Sequence, residues 1–203
     1  MLQKPGILVE NAINSESDYL AQARSGNTQA FSGLVELYQE RAVHIAYSFM
    51  GNMEDARDVA QEAFVKAYYQ LGSFQEQSRF YTWLYRIIVN TCKDFLRKKK
   101  LRNHLSFWPG NDDGEMVIAW DAPDKSKTAG EEMVNREIGV ELKKAMEQLP
   151  FQQKSVFTLR YLEGMKLEEI AQTLDLSVGA VKAHLWQATT KMKSQLKYLW
   201  EGE

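Results

Sequence analysis

A chain of 203 residues with 44% hydrophobic content is long enough for one domain or two small ones with buried cores. The formal net charge of −2 gives the whole chain no basic bias, and Cys92 is its only cysteine, which excludes an internal disulfide and a multi-cysteine zinc site. No apolar run reaches the length of a membrane span, and residues 1–15 lack the basic start and hydrophobic stretch of a secretory leader, so a cytoplasmic location is expected.

Asp18 to Arg24 forms a first short helix, broken at Gly26-Asn27. Thr28 is placed to cap the next, in which Phe31, Leu34, Val35, Tyr38, Ala42, Ile45, Ala46 and Phe49 keep a 3.6-residue period until Gly51-Asn52. A third helix runs from Glu54 to Leu71, with Ala56, Val59, Ala60, Ala63, Phe64, Ala67 and Tyr68 inside. Its early acids Glu54, Asp55 and Asp58 suit the positive end of the helix dipole. After Gly72-Ser73 and a polar loop, residues 78–100 form a long helix with two unlike sides. Trp83, Leu84, Ile87, Ile88, Thr91 and Phe95 face a core, and Cys92 is a small buried side chain rather than a nucleophile. Arg86, Asn90, Lys93 and Arg97 form a second stripe that runs out into Lys98, Lys99, Lys100 and Arg102. Such a stripe suits a phosphate backbone, and a merely solvated basic face fits this segment equally well.

From residue 103 to about 130 the periodicity is lost. Pro109, Gly110, Gly114, Pro123 and Gly130 punctuate a stretch rich in acids, which reads as a linker. Helices resume over Glu132–Gln148, stopped by Pro150, and over Gln152–Leu162, stopped by Gly164. Leu167–Leu174 is shorter and precedes a tight turn at Asp175-Leu176-Ser177. Ser177 is a good N-cap for a last helix from Val178 to about Leu199. From Leu176 to Trp200 there are four lysines, His184 and no carboxylate. A short helix, a brief turn and a longer, purely cationic helix outline a helix-turn-helix, although a plain helical hairpin has the same outline.

Four separated segments resemble the sigma-70 family of RNA polymerase sigma factors, in its extracytoplasmic-function type, across about Asp18 to Leu199. Glu54-Asp55-Ala56-Arg57-Asp58-Val59-Ala60-Gln61-Glu62-Ala63-Phe64 is similar to the family segment that grips core RNA polymerase. Phe80-x-Thr82-Trp83-Leu84-x-Arg86-Ile87, followed by Asn90 and Asp94, resembles the segment that melts and reads the −10 element. Leu149-Pro150 with Phe157-x-Leu159-Arg160-Tyr161 and Glu169-Ile170-Ala171 resembles the start of the fourth sigma domain. Val178-Gly179-Ala180-Val181-Lys182 resembles the opening of its −35 recognition helix.

The resemblance implies an all-α fold of two small helical domains. These are sigma domain 2 over 16–102 and a helix-turn-helix sigma domain 4 over 131–203, joined by an acidic flexible linker over 103–130; residues 1–15 match nothing in the family pattern and read as a flexible tail. It implies that Asp55, Asp58, Gln61 and Glu62 bind core polymerase. Gln75, Gln77 and Ser78, with Arg86, Asn90, Lys93, Arg97 and Lys98, are the expected contacts to an opened −10 strand, where aromatic or polar pockets join a basic track. Lys182, Ala183, Trp186 and Gln187 match base-facing −35 positions, and His184 and Lys191 are placed for phosphates. Relatives usually carry several arginines along this last helix. Lysine and glutamine stand here instead, so the promoter consensus does not transfer. Gln187 suits adenine, and Trp186 suits a thymine methyl.

In relatives the connector threads a positive channel, so Asp112, Asp113, Glu115, Asp121 and Asp124 can imitate nucleic acid; a solvated spacer has the same composition. The expected function is non-catalytic. The chain directs promoter-specific initiation with core polymerase, uses no cofactor or metal, does not insert into membranes, and is controlled by an anti-sigma factor. His44, His104 and His184 are scattered and form no catalytic motif. Two rival functions remain at this stage: a free-standing helix-turn-helix regulator, which leaves the Asp58 segment unexplained, and a protein-binding helical adaptor, which would show no promoter effect.

Overall fold

The computed structural model describes residues 16–75, 78–105 and 129–199, and every regular element among them is a helix. A short α1 covers residues 16–24. It is followed by α2 (Thr28–Met50), α3 (Met53–Gln70), α4 (Phe80–Leu105), α5 (Ala129–Glu147), α6 (Phe151–Phe157), α7 (Leu167–Leu174) and α8 (Val178–Gln195). The all-α expectation holds. Residues 1–15, Glu76, Gln77 and the acidic stretch with Trp108 and Trp120 lie outside the described residues.

The front unit is α1 to α4. Asn27, not Thr28, caps α2: its Oδ1 accepts from the amides of Gln29 at 3.0 Å and Ala30 at 3.2 Å. The planar asparagine amide, whose oxygen stands one bond further out than a threonine hydroxyl, reaches two orphan amides from one residue earlier, and Thr28 becomes the first helical residue. Asn52 caps α3 in the same way through the Asp55 amide at 2.8 Å. α1 docks closely on α2 because a Cβ on Gly33 would come within 2.7 Å of the Tyr19 ring. The apolar faces of α2, α3 and α4 meet in one core that includes Ile45, Val59, Ala63, Leu84, Ile88 and Cys92, all at 0% exposure. Fully burying each large aliphatic there is worth roughly 1.5–3 kcal/mol. Burial also pushes the Cys92 thiol up to about 12. Tyr68, expected inside, is 38% exposed and rests edge-on against Phe31.

The rear unit is α5 to α8. Pro150 opens α6. The expected helix over Gln152–Leu162 begins as α-helix and widens to a π-turn over Thr158–Leu162. α7 closes at Asp175, whose φ of 55° is left-handed, and the amide of Leu176 returns to the Ala171 carbonyl at 2.9 Å. Ser177 caps α8 as expected, its Oγ accepting from the Ala180 amide at 3.1 Å. Val181, Ala188 and Met192 are buried on one side of α8, with Val178 and Leu185 half-buried on the same stripe.

The two units are packed together. Phe49 of α2 meets Phe151 of α6 with ring centroids 5.0 Å apart, and Ser48 and Thr158 share a hydrogen bond of 3.1 Å. Val156, Leu159, Met165, Ile170, Ala171 and Val181 of the rear unit are continuous with the front core. Only Ala145, Met146, Leu149, Ala188, Met192 and Leu196 form a separate rear cluster, between α5 and α8.

Candidate nucleic-acid and protein interfaces

α4 carries the first candidate surface. Its buried side comprises Leu84, Tyr85, Ile87, Ile88, Val89, Thr91 and Cys92. Arg86, Asn90, Lys93, Arg97 and Lys98 are all exposed on the other side, as a 3.6-residue repeat requires. Asp94 pairs with Arg97 at 3.2 Å, a surface ion pair of small energetic weight. Trp83, expected in the core, is half-buried and stacked in an aromatic group with Phe74 and Phe80, at centroid distances of 5.2 Å and 5.6 Å.

That aromatic group roots the loop before α4. Phe74 is buried while Gln75 is exposed and Ser78 half-buried, so the loop's polar groups stand over an aromatic floor. Gln75, Ser78, Trp83 and Arg86 line one wall of a cleft of about 730 Å³. The opposite wall belongs to the rear unit, with Glu168, Gln172 and Asp175 among its residues. Arg86 crosses the cleft. Its Nε donates to the Thr173 carbonyl at 3.2 Å, and Nη2 donates to the Gln172 carbonyl. These are last-turn carbonyls of α7, which have no helical partner and lie at the negative end of its dipole. The guanidinium thus holds a protein anion-equivalent in the place where a phosphate would suit it.

Two tyrosines of α4 extend this seam. Tyr85 donates to the Glu163 carboxylate at 2.8 Å, and Tyr81 donates to Glu169. Burial raises the Glu163 carboxyl above its ordinary value against the lowering effects of Tyr85 and Arg41. Glu169 moves the other way: burial opposes its ionisation, but the Tyr81 hydroxyl and the Lys166 amide outweigh it and hold it low. Neither Tyr85 nor Glu163 was among the residues expected to matter. Tyrosines on a helix carrying a DNA-like stripe were the available signal.

α8 carries the second surface. Lys182, Ala183, Trp186, Gln187 and Lys191 are exposed, with Trp186 at 69%. They lie off the buried stripe of Val181, Ala188 and Met192, with Gln187 on the flank next to α6. His184 is half-buried, and its Nδ1 is buried without a partner. Gln187 is held from behind: the Nε2 of Gln153 on α6 donates to its Oε1 at 2.9 Å.

α3 carries a third. Asp58 and Gln61 are exposed, and Glu62 is half-buried and paired with Lys66 at 2.8 Å. Asp55 is turned inward to Lys99 of α4 at 2.7 Å and to the Asn52 side chain. Burial opposes its ionisation, but Asn52 and Lys99 hold its carboxyl below the usual range. Val65 and Tyr69 continue the Asp58–Gln61 stripe at 51% and 80% exposure. Their helical spacing already placed them there, as apolar residues on a polar face. Among the described residues no group of His, Cys, Asp and Glu is arranged to hold a metal ion, and no helix is long and apolar enough to cross a membrane.

Comparison with known proteins matches these surfaces to two family regions. The family model for sigma-70 region 2 matches residues 34–102, and that for sigma-70 region 4 matches residues 139–192. The chain is 30% identical over 180 residues to the ECF RNA polymerase sigma factor SigW of Bacillus subtilis, covering 89% of this chain and 96% of that protein. It is 34% identical over 185 residues to the ECF RNA polymerase sigma-E factor of Escherichia coli strain K12, covering 88% and 92%. Among solved structures it resembles CnrH in its complex with the cytosolic domain of CnrY, with a TM-score of 0.64, 26% identity, and coverage of 91% and 98%. With both regions present in order and relatives at 30% and 34% identity matched over nearly their whole length, this chain belongs to the sigma-70 family of RNA polymerase sigma factors, in its extracytoplasmic-function branch.

Proposed function

We propose that this chain is a non-catalytic specificity subunit that binds core RNA polymerase in the cytoplasm and directs initiation from promoters bearing −35 and −10 elements. The observation that carries this reading is the pairing of two outward-facing DNA surfaces on one chain. α4 offers Arg86, Asn90, Lys93, Arg97 and Lys98 beside an aromatic-floored loop, and α8 offers Lys182, Trp186, Gln187 and Lys191 free of carboxylates. Residues 16–102 act as sigma domain 2, residues 131–203 as sigma domain 4, and 103–130 as the connector. Asp58, Gln61 and Glu62 meet the polymerase, joined by the exposed Val65 and Tyr69; Asp55 joins them once it leaves Lys99.

Gln75, Gln77 and Ser78 receive the opened −10 strand, with the basic residues of α4 tracking its phosphates. Lys182, Ala183, Trp186 and Gln187 enter the −35 major groove, while His184 and Lys191 reach phosphates. Elements named −35 and −10 lie roughly 25 base pairs apart, about 85 Å at 3.4 Å per step. In the packed arrangement Arg86 touches α7, the helix next to the −35 reader. The promoter-bound form therefore requires the units to separate. CnrH was solved with the cytosolic domain of CnrY; for this chain an anti-sigma factor is the corresponding class of regulatory partner.

The test is transcription in vitro with core polymerase and a genomic DNA library, with start sites mapped. Defined starts that share upstream elements are expected. An Asp58→Lys, Glu62→Lys double variant should lose core binding while the rear unit keeps its −35 DNA preference. Core association without any directed start, or unchanged core affinity in the double variant, overturns the reading.

A further inference from the structure

We infer that Gln153 of α6 is a positioning residue for −35 base recognition: it locks the Gln187 amide into one orientation on the reading face of α8. The inference deepens the proposed function and rests on α8 being the −35 helix. Gln153 is 9% exposed, and its Nε2 donates to Gln187 Oε1 at 2.9 Å. Its own Oε1 is buried with no hydrogen-bond partner. Leucine or methionine of similar volume would fill this place without burying an unpaired amide oxygen. The polar residue serves the one group it does bond, an exposed side chain on the flank of α8 next to α6.

Two physical effects follow from that bond. A solvent-exposed glutamine has three rotatable side-chain bonds and forfeits rotamer freedom when it grips a base; a partner that immobilises it beforehand removes that cost from binding. The bond also sets polarity. With its oxygen already accepting from Gln153, Gln187 turns its NH₂ group and one remaining carbonyl lone pair outward. Adenine presents N7 as acceptor and N6–H as donor in the major groove, the complement of that pair. Reversing both amides would bury an unpaired NH₂ on Gln153 in place of a carbonyl oxygen, and orphaned donors are the rarer and costlier case. Gln153 thereby favours an A·T pair at the position Gln187 reads, without touching DNA itself.

The experiment uses the full chain with core polymerase and a promoter library randomised through the −35 element, reading the preference ratio at each base pair. Gln187→Ala should flatten one base pair by roughly 5- to 100-fold, the range of a single bidentate contact. Gln153→Met should flatten that same base pair by about 3- to 10-fold and leave the others unchanged, with the melting temperature checked alongside. Gln153→Asn, too short to reach Gln187, should do the same. The double variant should be no flatter than Gln187→Ala alone, since both changes remove one coupled contact. If Gln187→Ala alters a base pair and neither Gln153 variant does, the inference fails while the promoter reading stands. A uniform loss across the −35 element in the Gln153 variants makes the residue merely structural and also overturns it. A silent Gln187→Ala removes the reading residue and the inference together.

Discussion

The front and rear units solve the same packing problem differently. In the front unit α2, α3 and α4 close around one interior, in which residues such as Ile45, Val59 and Leu84 reach 0% exposure. The rear unit is divided. Val156, Leu159, Ile170 and Val181 are continuous with the front core, while Met146, Leu149, Ala188 and Met192 form a smaller cluster between α5 and α8. Small helical units bury a modest share of their surface, and the rear one gains by borrowing a wall. The lesson is that the rear unit leans on the front one. Whatever separates them exposes apolar surface on both units.

The strongest way to break this comparison is to cut each interior. Leu84→Ala and Leu159→Ala should each cost about 2–5 kcal/mol, measured by chemical denaturation. The front substitution should lower the whole transition, whereas Leu159→Ala should loosen the rear unit first, seen as earlier amide exchange in α6 to α8 than in α2 to α4. Equal exchange in both units would erase the distinction.

The seam itself is the next target. Tyr85→Phe leaves the half-buried Glu163 carboxylate without its Tyr85 donor, which should cost about 1–3 kcal/mol and raise exchange in α6 and α7 while the front core stays protected. Acidity sharpens the same point. Glu163 is raised from its ordinary 4.5 in the packed state. Its contribution is therefore full below pH 4.5 and is lost as pH rises through its raised value. Glu169 is lowered, so its contribution is present above 4.5 and is lost as pH falls through its own depressed value. Glu163→Gln should keep the Tyr85 hydrogen bond and abolish the decline on the alkaline side, as read by denaturation midpoints across pH 4 to 7. The smallest expected effect is at Asp175, whose φ of 55° is left-handed; Asp175→Gly should change rear-unit stability by no more than about 1 kcal/mol.

Much of this was legible in the residue order. Helical spacing placed the buried and exposed sides of α4 and α8, and Ser177 announced the start of the recognition helix. What escaped depends on tertiary placement. The spacing of Arg86, Asn90 and Lys93 defines a polar stripe but not its occupant, and Arg86 turns out to meet helix-end carbonyls in this packed form. Asp55 sits on the acidic stripe by sequence, yet Lys99, far along the chain, draws it inward. Gln153 looks like any polar residue of a short helix until α8 is laid over it. Asn27 displaced Thr28 as the cap because one residue of register decides which side chain reaches the free amides.

Cys92 offers a practical dividend. The thiolate is the reactive form of cysteine, and here the group is 0% exposed, with its ionisation pushed up to about 12. Native chemistry at that sulfur is silent under ordinary labelling conditions. A cysteine introduced on the outer surface of each unit can therefore carry a fluorophore in the otherwise unaltered chain, and the distance between dyes would report directly whether polymerase or promoter pulls the halves apart.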